Sequence, residues 1–177
     1  MDTFIEQIVV KRKTMGEVVM QTAVWFFGVL AILILLFLSI GGGNAIVRMV
    51  ALLAAFGIGY GMWYLLTSMK VEFEYSVTNG HFDIDKIIAQ RRRKRLLSAE
   101  VSEIESFSKY NAEAQAHRNY DKRLMVGGGG KYDLWCAELR HKELGHILVV
   151  FEPDDRTLAT VRKFLPKMVE RDAFGRN

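Results

Sequence analysis

The sequence predicts a membrane protein of the α+β class: a two-helix transmembrane hairpin followed by one small β-rich domain that ends in a helix. Three observations predict it. Two long apolar runs, 18–40 and 45–69, are separated only by Gly41-Gly42-Gly43-Asn44. From Val71 onward, period-two alternation and hairpin turns take over. Basic residues crowd the outer flanks of the apolar pair and leave its turn nearly bare.

Half of the 177 residues are hydrophobic, but unevenly so. The excess lies between Val18 and Met69, and the chain from Lys70 has ordinary soluble composition. That unevenness separates a membrane protein from an apolar globular one. A formal charge of +4 is too small to argue for nucleic acid, which demands a concentrated basic face. Cys136 is the single cysteine, so there is no internal disulfide framework, and a reducing cytoplasm is compatible.

Before the first apolar run, Thr3 and Glu6 have capping-box spacing, and Phe4, Ile5, Ile8 and Val9 share one helical face. Residues 1–17 are therefore expected to form an amphipathic helix lying on the inner leaflet. Val18 to Ile40 carries no charge, and its length as a helix, roughly 34 Å, matches a hydrocarbon core of about 30 Å. A cleaved signal peptide is disfavoured, because the run is too long for an h-region and a second span follows at once. In that second span, 45–69, only Arg48 is charged, near an end where it can snorkel. Lys11, Arg12 and Lys13 precede the pair, and Lys70 and the later Arg91 to Arg95 follow it. Positive-inside bias thus places both termini in the cytoplasm of a bacterial plasma membrane. Gly57, Gly59 and Gly61 create small-xxx-small spacings that suit packing against the first span or against a second copy.

The remaining chain, 70–177, is the predicted cytoplasmic domain. Val71 to Thr78 alternates as a half-buried strand, and Asn79-Gly80 is a strong hairpin signal. A two-residue turn pairs Tyr75 with Ile84 and Val77 with Phe82. It also sets Glu74 opposite Asp85 on the other face, an unfavourable pair that needs a neutralising neighbour. The run Arg91-Arg92-Arg93-Lys94-Arg95 offers one, as the start of a third strand; it also suits anionic lipid or a protein partner. Leu96 to Phe107 reads as strand, bend and strand, 111–130 as a loop with a helical turn, and Tyr132 to Leu139 with Ile147 to Phe151 as a second hairpin. Asp154 and Asp155 open a final helix with a stripe of Leu158, Val161, Leu165, Met168 and Val169, which Pro166 should kink or end.

About six strands closed by a C-terminal helix resemble a pleckstrin-homology (PH)-like barrel. The whole chain also resembles a family of uncharacterised two-span bacterial membrane proteins, mainly from Gram-positive anaerobes. The resemblance runs through Asp2 to Gln7, Lys11 to Thr14, both spans, Tyr75 to Lys86, Arg93 to Leu97 and Val150 to Asp154. It implies a PH-like cytoplasmic β-barrel or sheet domain of unknown function, and no activity.

The residues themselves offer no catalytic group. Gly127 to Lys131 lacks the Ser or Thr a phosphate loop places after its lysine, and Tyr132 follows instead. His81, His117, His141 and His146 share no metal-ligand spacing with one another or with Cys136. The expectation is a non-enzymatic, membrane-anchored adaptor or sensor without cofactor or metal, binding a protein partner at the inner membrane surface. Two alternatives stand beside it: recognition of anionic lipid headgroups through Arg91, Arg92, Arg93, Lys94 and Arg95, and an accessory subunit packed through its glycine-bearing span.

Overall fold

The structure, a computed structural model, describes residues 3–41, 44–128 and 130–175. Met1, Asp2, Gly42, Gly43, Gly129, Arg176 and Asn177 lie outside them. The chain divides into two compact units, residues 13–70 and residues 1–12 with 71–177.

The first unit is a helical pair, α1 (Met15–Gly41) and α2 (Ala45–Ser68). Both helices are long and apolar enough to cross a membrane, and α1 presents Trp25, Phe26, Phe27 and Phe37 outward. The N-terminus of α1 is a capping box: the Thr14 N–H donates to Glu17 Oε2 at 2.9 Å. Asn44 caps α2, its Oδ1 accepting from the Ile46 N–H at 3.0 Å. The helices meet over Ala51, Ala55 and Met62, the buried residues of α2. The close approach is at Gly28, where a Cβ would collide with the Met62 side chain. Gly57, Gly59 and Gly61 are not at that approach: an added Cβ at each would meet nothing within 4 Å. The long Met62 side chain needs the missing Cβ on the opposite helix.

The second unit begins with β1 (Phe4–Val10) and resumes after the helical pair with β2 (Val71–Thr78), β3 (His81–Ile88) and β4 (Arg92–Glu100), an antiparallel sheet in that order. The expected surface helix over residues 1–17 is therefore wrong. Residues 4–10 pair along β2 from Phe4 opposite Thr78 to Val10 opposite Glu72, with Gln7 and Val9 buried and Phe4, Glu6, Ile8 and Val10 exposed. That period-two division, with four β-branched residues in seven, is what a strand requires. The domain boundary shifts accordingly: the unit contains residues 4–10 as well as 71–175, and the helical pair is an insertion between neighbouring strands. At the insertion point the Lys11 N–H donates to the Val71 carbonyl at 3.1 Å.

The β2–β3 turn is built as the sequence predicts, with Asn79 and Gly80 at φ of 51° and 88°. Tyr75 faces Ile84 and Val77 faces Phe82. A 3₁₀ turn, Val101–Glu103, leads to β5 (Ile104–Lys109), followed by α3 (Ala112–Ala116), β6 (Lys122–Met125), β7 (Trp135–His141) and β8 (Gly145–Phe151). These strands form a second sheet in the order β5-β7-β8-β6, with β6 parallel to β8. The two sheets are not closed into a barrel, against the closed form of the expectation. Tyr75, Phe82, Phe107 and Phe151 interlock between them, with ring centroids 5.3–6.1 Å apart.

The C-terminal helix is divided at Pro166 into α4 (Asp155–Phe164) and α5 (Lys167–Phe174). Asp154 caps α4, accepting from the Thr157 N–H at 2.7 Å. Val161 and Leu165 enter the core, but Met168 is exposed because the break rotates α5 away from the continuous stripe. Phe174 stacks on Trp135 instead.

Since β1 and β2 end side by side, a short Gly-Ser turn replacing residues 13–70 should yield a soluble, cooperatively folding unit. A fragment beginning at Lys70 lacks β1 and should precipitate or lose its sharp thermal transition in circular dichroism.

Candidate functional site

The outer face of the first sheet carries the acidic strand residues and the basic run. Arg93 meets Glu74 at 2.6 Å and Asp85 at 3.9 Å; Arg95 meets Asp85 at 3.3 Å and Asp83 at 3.8 Å. A bulge makes this possible. The register shifts so that Leu97 lies opposite Ile84 while Arg95 lies opposite Asp85, with Leu97 in the core and Arg95 on the outer face. Burial pushes the Glu74 carboxyl up, and the Arg93 guanidinium only partly offsets it. The five basic residues are thus divided. Arg93 and Arg95 balance β2 and β3, Arg92 and Lys94 are exposed on β4, and Arg91 sits in the β3–β4 turn.

A second constellation, which sequence reasoning missed, centres on Glu152 just after β8. Its side chain is buried, at 1 % exposure. Oε2 accepts from the Gly128 and Gly130 N–H groups at 3.0 and 2.9 Å, and Oε1 from those of Lys131 and Tyr132 at 2.6 and 2.8 Å. The glycine run does cradle an anion, then, but the anion is the chain's own carboxylate. Burial raises its pKa, yet the four backbone donors outweigh burial and hold it below the usual carboxylate value. The Glu152 carbonyl accepts from Gln7 Nε2 at 2.9 Å, and Gln7 Oε1 accepts from the Asp154 N–H at 2.8 Å. The Tyr75 hydroxyl donates to the Val126 carbonyl at 2.8 Å and accepts from the Glu152 N–H. Strands β1 and β2, the glycine loop and the start of α4 are tied at one point. Gln7 on a short amphipathic segment and an acid preceding Pro153 were the available signals.

Along the open edge of β1 runs a cleft of about 470 Å³, bordered by Glu6 to Val10, Lys131, Tyr132, Glu152, Asp154 and Arg156. Phe4, Ile8 and Val10 are 63, 54 and 61 % exposed on the outer face of that strand. This edge strand has large exposed apolar side chains and neither proline nor bulge, and Glu6 is its one charged residue.

Cys136 is buried under α3 beside Ser108 and Gln115, and burial pushes its thiol up, away from nucleophilic character. His81 on β3 lies between Glu100 and Asp83 and bonds the Ser98 hydroxyl, and His141 on β7 approaches the Ser98 carbonyl; among the described residues no group of three or more His, Cys, Asp or Glu could hold a metal ion.

Two facing sheets backed by C-terminal helices, with β1 at the edge of the first sheet and no convergent catalytic groups among the described residues, fit a PH-like unit, a class whose members are generally non-catalytic binding modules. The chain belongs to the bacterial PH-like domain family DUF6106, whose sequence pattern matches residues 1–171, the two apolar helices included. No curated protein and no solved structure matches it.

Replacing Arg93 with Gln should destabilise the fold by about 1–2 kcal/mol near neutral pH, leaving Glu74 uncompensated while Asp85 keeps Arg95. The loss should shrink as pH falls and Glu74, whose folded carboxyl is raised by burial, takes up its proton, read by denaturant titration of the full chain in detergent. Glu152→Gln should cost about 2–3 kcal/mol, the scale of hydrogen bonds to a charged group. Because the folded carboxyl is depressed, its stabilisation is complete above the unfolded value of about 4.3 and fades as pH falls below it. The wild-type stability curve should therefore drop in that window, and the variant's should be flatter there.

Proposed function

We propose that the protein is a non-enzymatic adaptor or sensor, anchored in the bacterial plasma membrane by its helical hairpin with both termini cytoplasmic, that recruits a protein partner to the inner membrane surface. One observation carries the reading. The edge strand of the PH-like unit, Phe4–Val10, runs through only Lys11–Thr14 into the first apolar helix, so the surface most suited to pairing is joined directly to the anchor. The positive-inside bias supports the orientation. Affinity purification of the full chain in mild detergent should return one protein reproducibly, in near-stoichiometric amount; repeated recovery of the chain alone would sink the idea.

A second reading rests on sheet topology. Val10 lies opposite Glu72, Val71 opposite Ile88 and Ile88 opposite Arg92. The β3–β4 turn with Arg91 and Arg92 therefore shares one end of the sheet with Lys11 and Arg12, where the chain leaves for the hairpin. Anionic headgroups suit such a rim, each basic residue contributing about 1 kcal/mol near the surface. Here the unit lacking residues 13–70 should sediment with phosphatidylglycerol vesicles at low salt and be released at high salt. Equal sedimentation after Arg92→Gln and Lys94→Gln together would count against headgroup recognition by the run.

A further inference from the structure

The open edge of β1 has a definite hydrogen-bonding phase. The Asn79 N–H donates to the Thr3 carbonyl at one end of the β1–β2 pair, and the Lys11 N–H donates to the Val71 carbonyl at the other. In an antiparallel ladder bonded residues alternate. Ile5, Gln7 and Val9 are therefore the ones turned toward β2, and the N–H and C=O groups of Phe4, Glu6, Ile8 and Val10 face the other way. Beyond them, Arg12 on the same edge donates its N–H to the Gly128 carbonyl at 3.2 Å. That single bond goes to a loop glycine at φ 127° and marks the end of the edge at which backbone already meets it. No other strand pairs with this edge among the described residues.

The cleft beside the edge carries both charges. Of its carboxylates, Glu152 is filled by four N–H donors, Asp154 is committed to the Thr157 N–H and to Arg156, and Glu6 is exposed on β1 with Phe4 and Ile8. Of its cations, Arg156 is the partner of Asp154, and the Lys131 ammonium lies over the Tyr132 ring. On the outer face, Phe4, Ile8 and Val10 offer apolar neighbours to alternate side chains of an added strand.

We infer that the β1 edge binds an extended segment of a partner protein by strand addition, the segment alternating apolar residues over Phe4, Ile8 and Val10 with acidic residues toward Lys131. This rests on the adaptor reading and names the surface and chemistry it uses.

The test uses the full chain in detergent and the probe peptide acetyl-Val-Glu-Val-Glu-Val-Glu-Val-amide. Binding should slow amide exchange at Glu6 and Ile8 while leaving Gln7 and Val9, already paired to β2, unchanged. A lysine-for-glutamate peptide and a peptide N-methylated on alternate amides should each bind about tenfold more weakly or worse, the equivalent of one or two net hydrogen bonds. Ile8→Pro removes only an outward donor from an edge strand and should abolish binding. If that variant loses protection at Gln7 and Val9, Lys131→Glu carries the test, with an expected weakening of up to about fivefold, the scale of an exposed ion pair. No binding, binding without protection at Glu6, or equal binding of the N-methylated peptide overturns the inference. So does a detergent-stable dimer that Ile8→Pro dissociates, which would assign the edge to a second copy. A protein partner still recovered with Ile8→Pro would leave the adaptor reading standing and remove this edge from it.

Discussion

A buried carboxylate held by backbone amides organises the β-unit. Glu152 lies where β8 ends, and without compensation its charge would be among the most costly in the domain. Four N–H groups of the 128–132 loop receive it. The same residue's main chain holds Gln7 on β1 and Tyr75 on β2. The loop is rich in glycine because successive N–H groups converge on one anion only if the backbone adopts unusual angles, as Gly128 and Gly130 do at φ of 127° and 68°. The bonding thus fixes the outer wall of the cleft and the inner edge of the strand that borders it.

How much of this was legible depended on how local the determinants were. The β2–β3 hairpin could be read residue by residue, since Asn79-Gly80 dictates the turn and the turn dictates the register. The neutralisation of Glu74 and Asp85 followed from that register. The bulge at Leu96 did not, because only packing decides which of Leu96 and Leu97 enters the core. Strand β1 was misread for a definite reason. Phe4, Ile5, Ile8 and Val9 satisfy a helical face, and Thr3 with Glu6 imitates a capping box. The capping box that forms is Thr14 with Glu17, immediately before the apolar run, and Thr3 instead bonds Asn79. The partner that makes residues 4–10 a strand comes only after the helical pair, out of reach of local pattern. The same is true of β6, four residues long and paired in parallel with β8.

The candidate site was legible only in its parts. The basic run stood out, but its alternation along β4 commits Arg93 and Arg95 to internal ion pairs and leaves a smaller exposed set. The glycine run invited and failed a phosphate-loop comparison, correctly, yet its capacity for an anion is real and is satisfied from within. Glu152 and Gln7, each unremarkable beside its neighbours, matter because the fold brings together residues from opposite ends of the chain.

Placing the helical pair between β1 and β2 also has a consequence for the order of folding. As the chain is synthesised, β1 emerges first and cannot pair until β2 has followed the whole hairpin. Bringing Val10 to Val71 through a disordered loop of that length carries an entropic cost that grows with the logarithm of its length. Two helices packed against each other close that loop beforehand, delivering Arg12 and Val71 to neighbouring positions. Pairing of the two helices thus lowers the cost of assembling the first sheet, and a short turn in place of residues 13–70 would do the same.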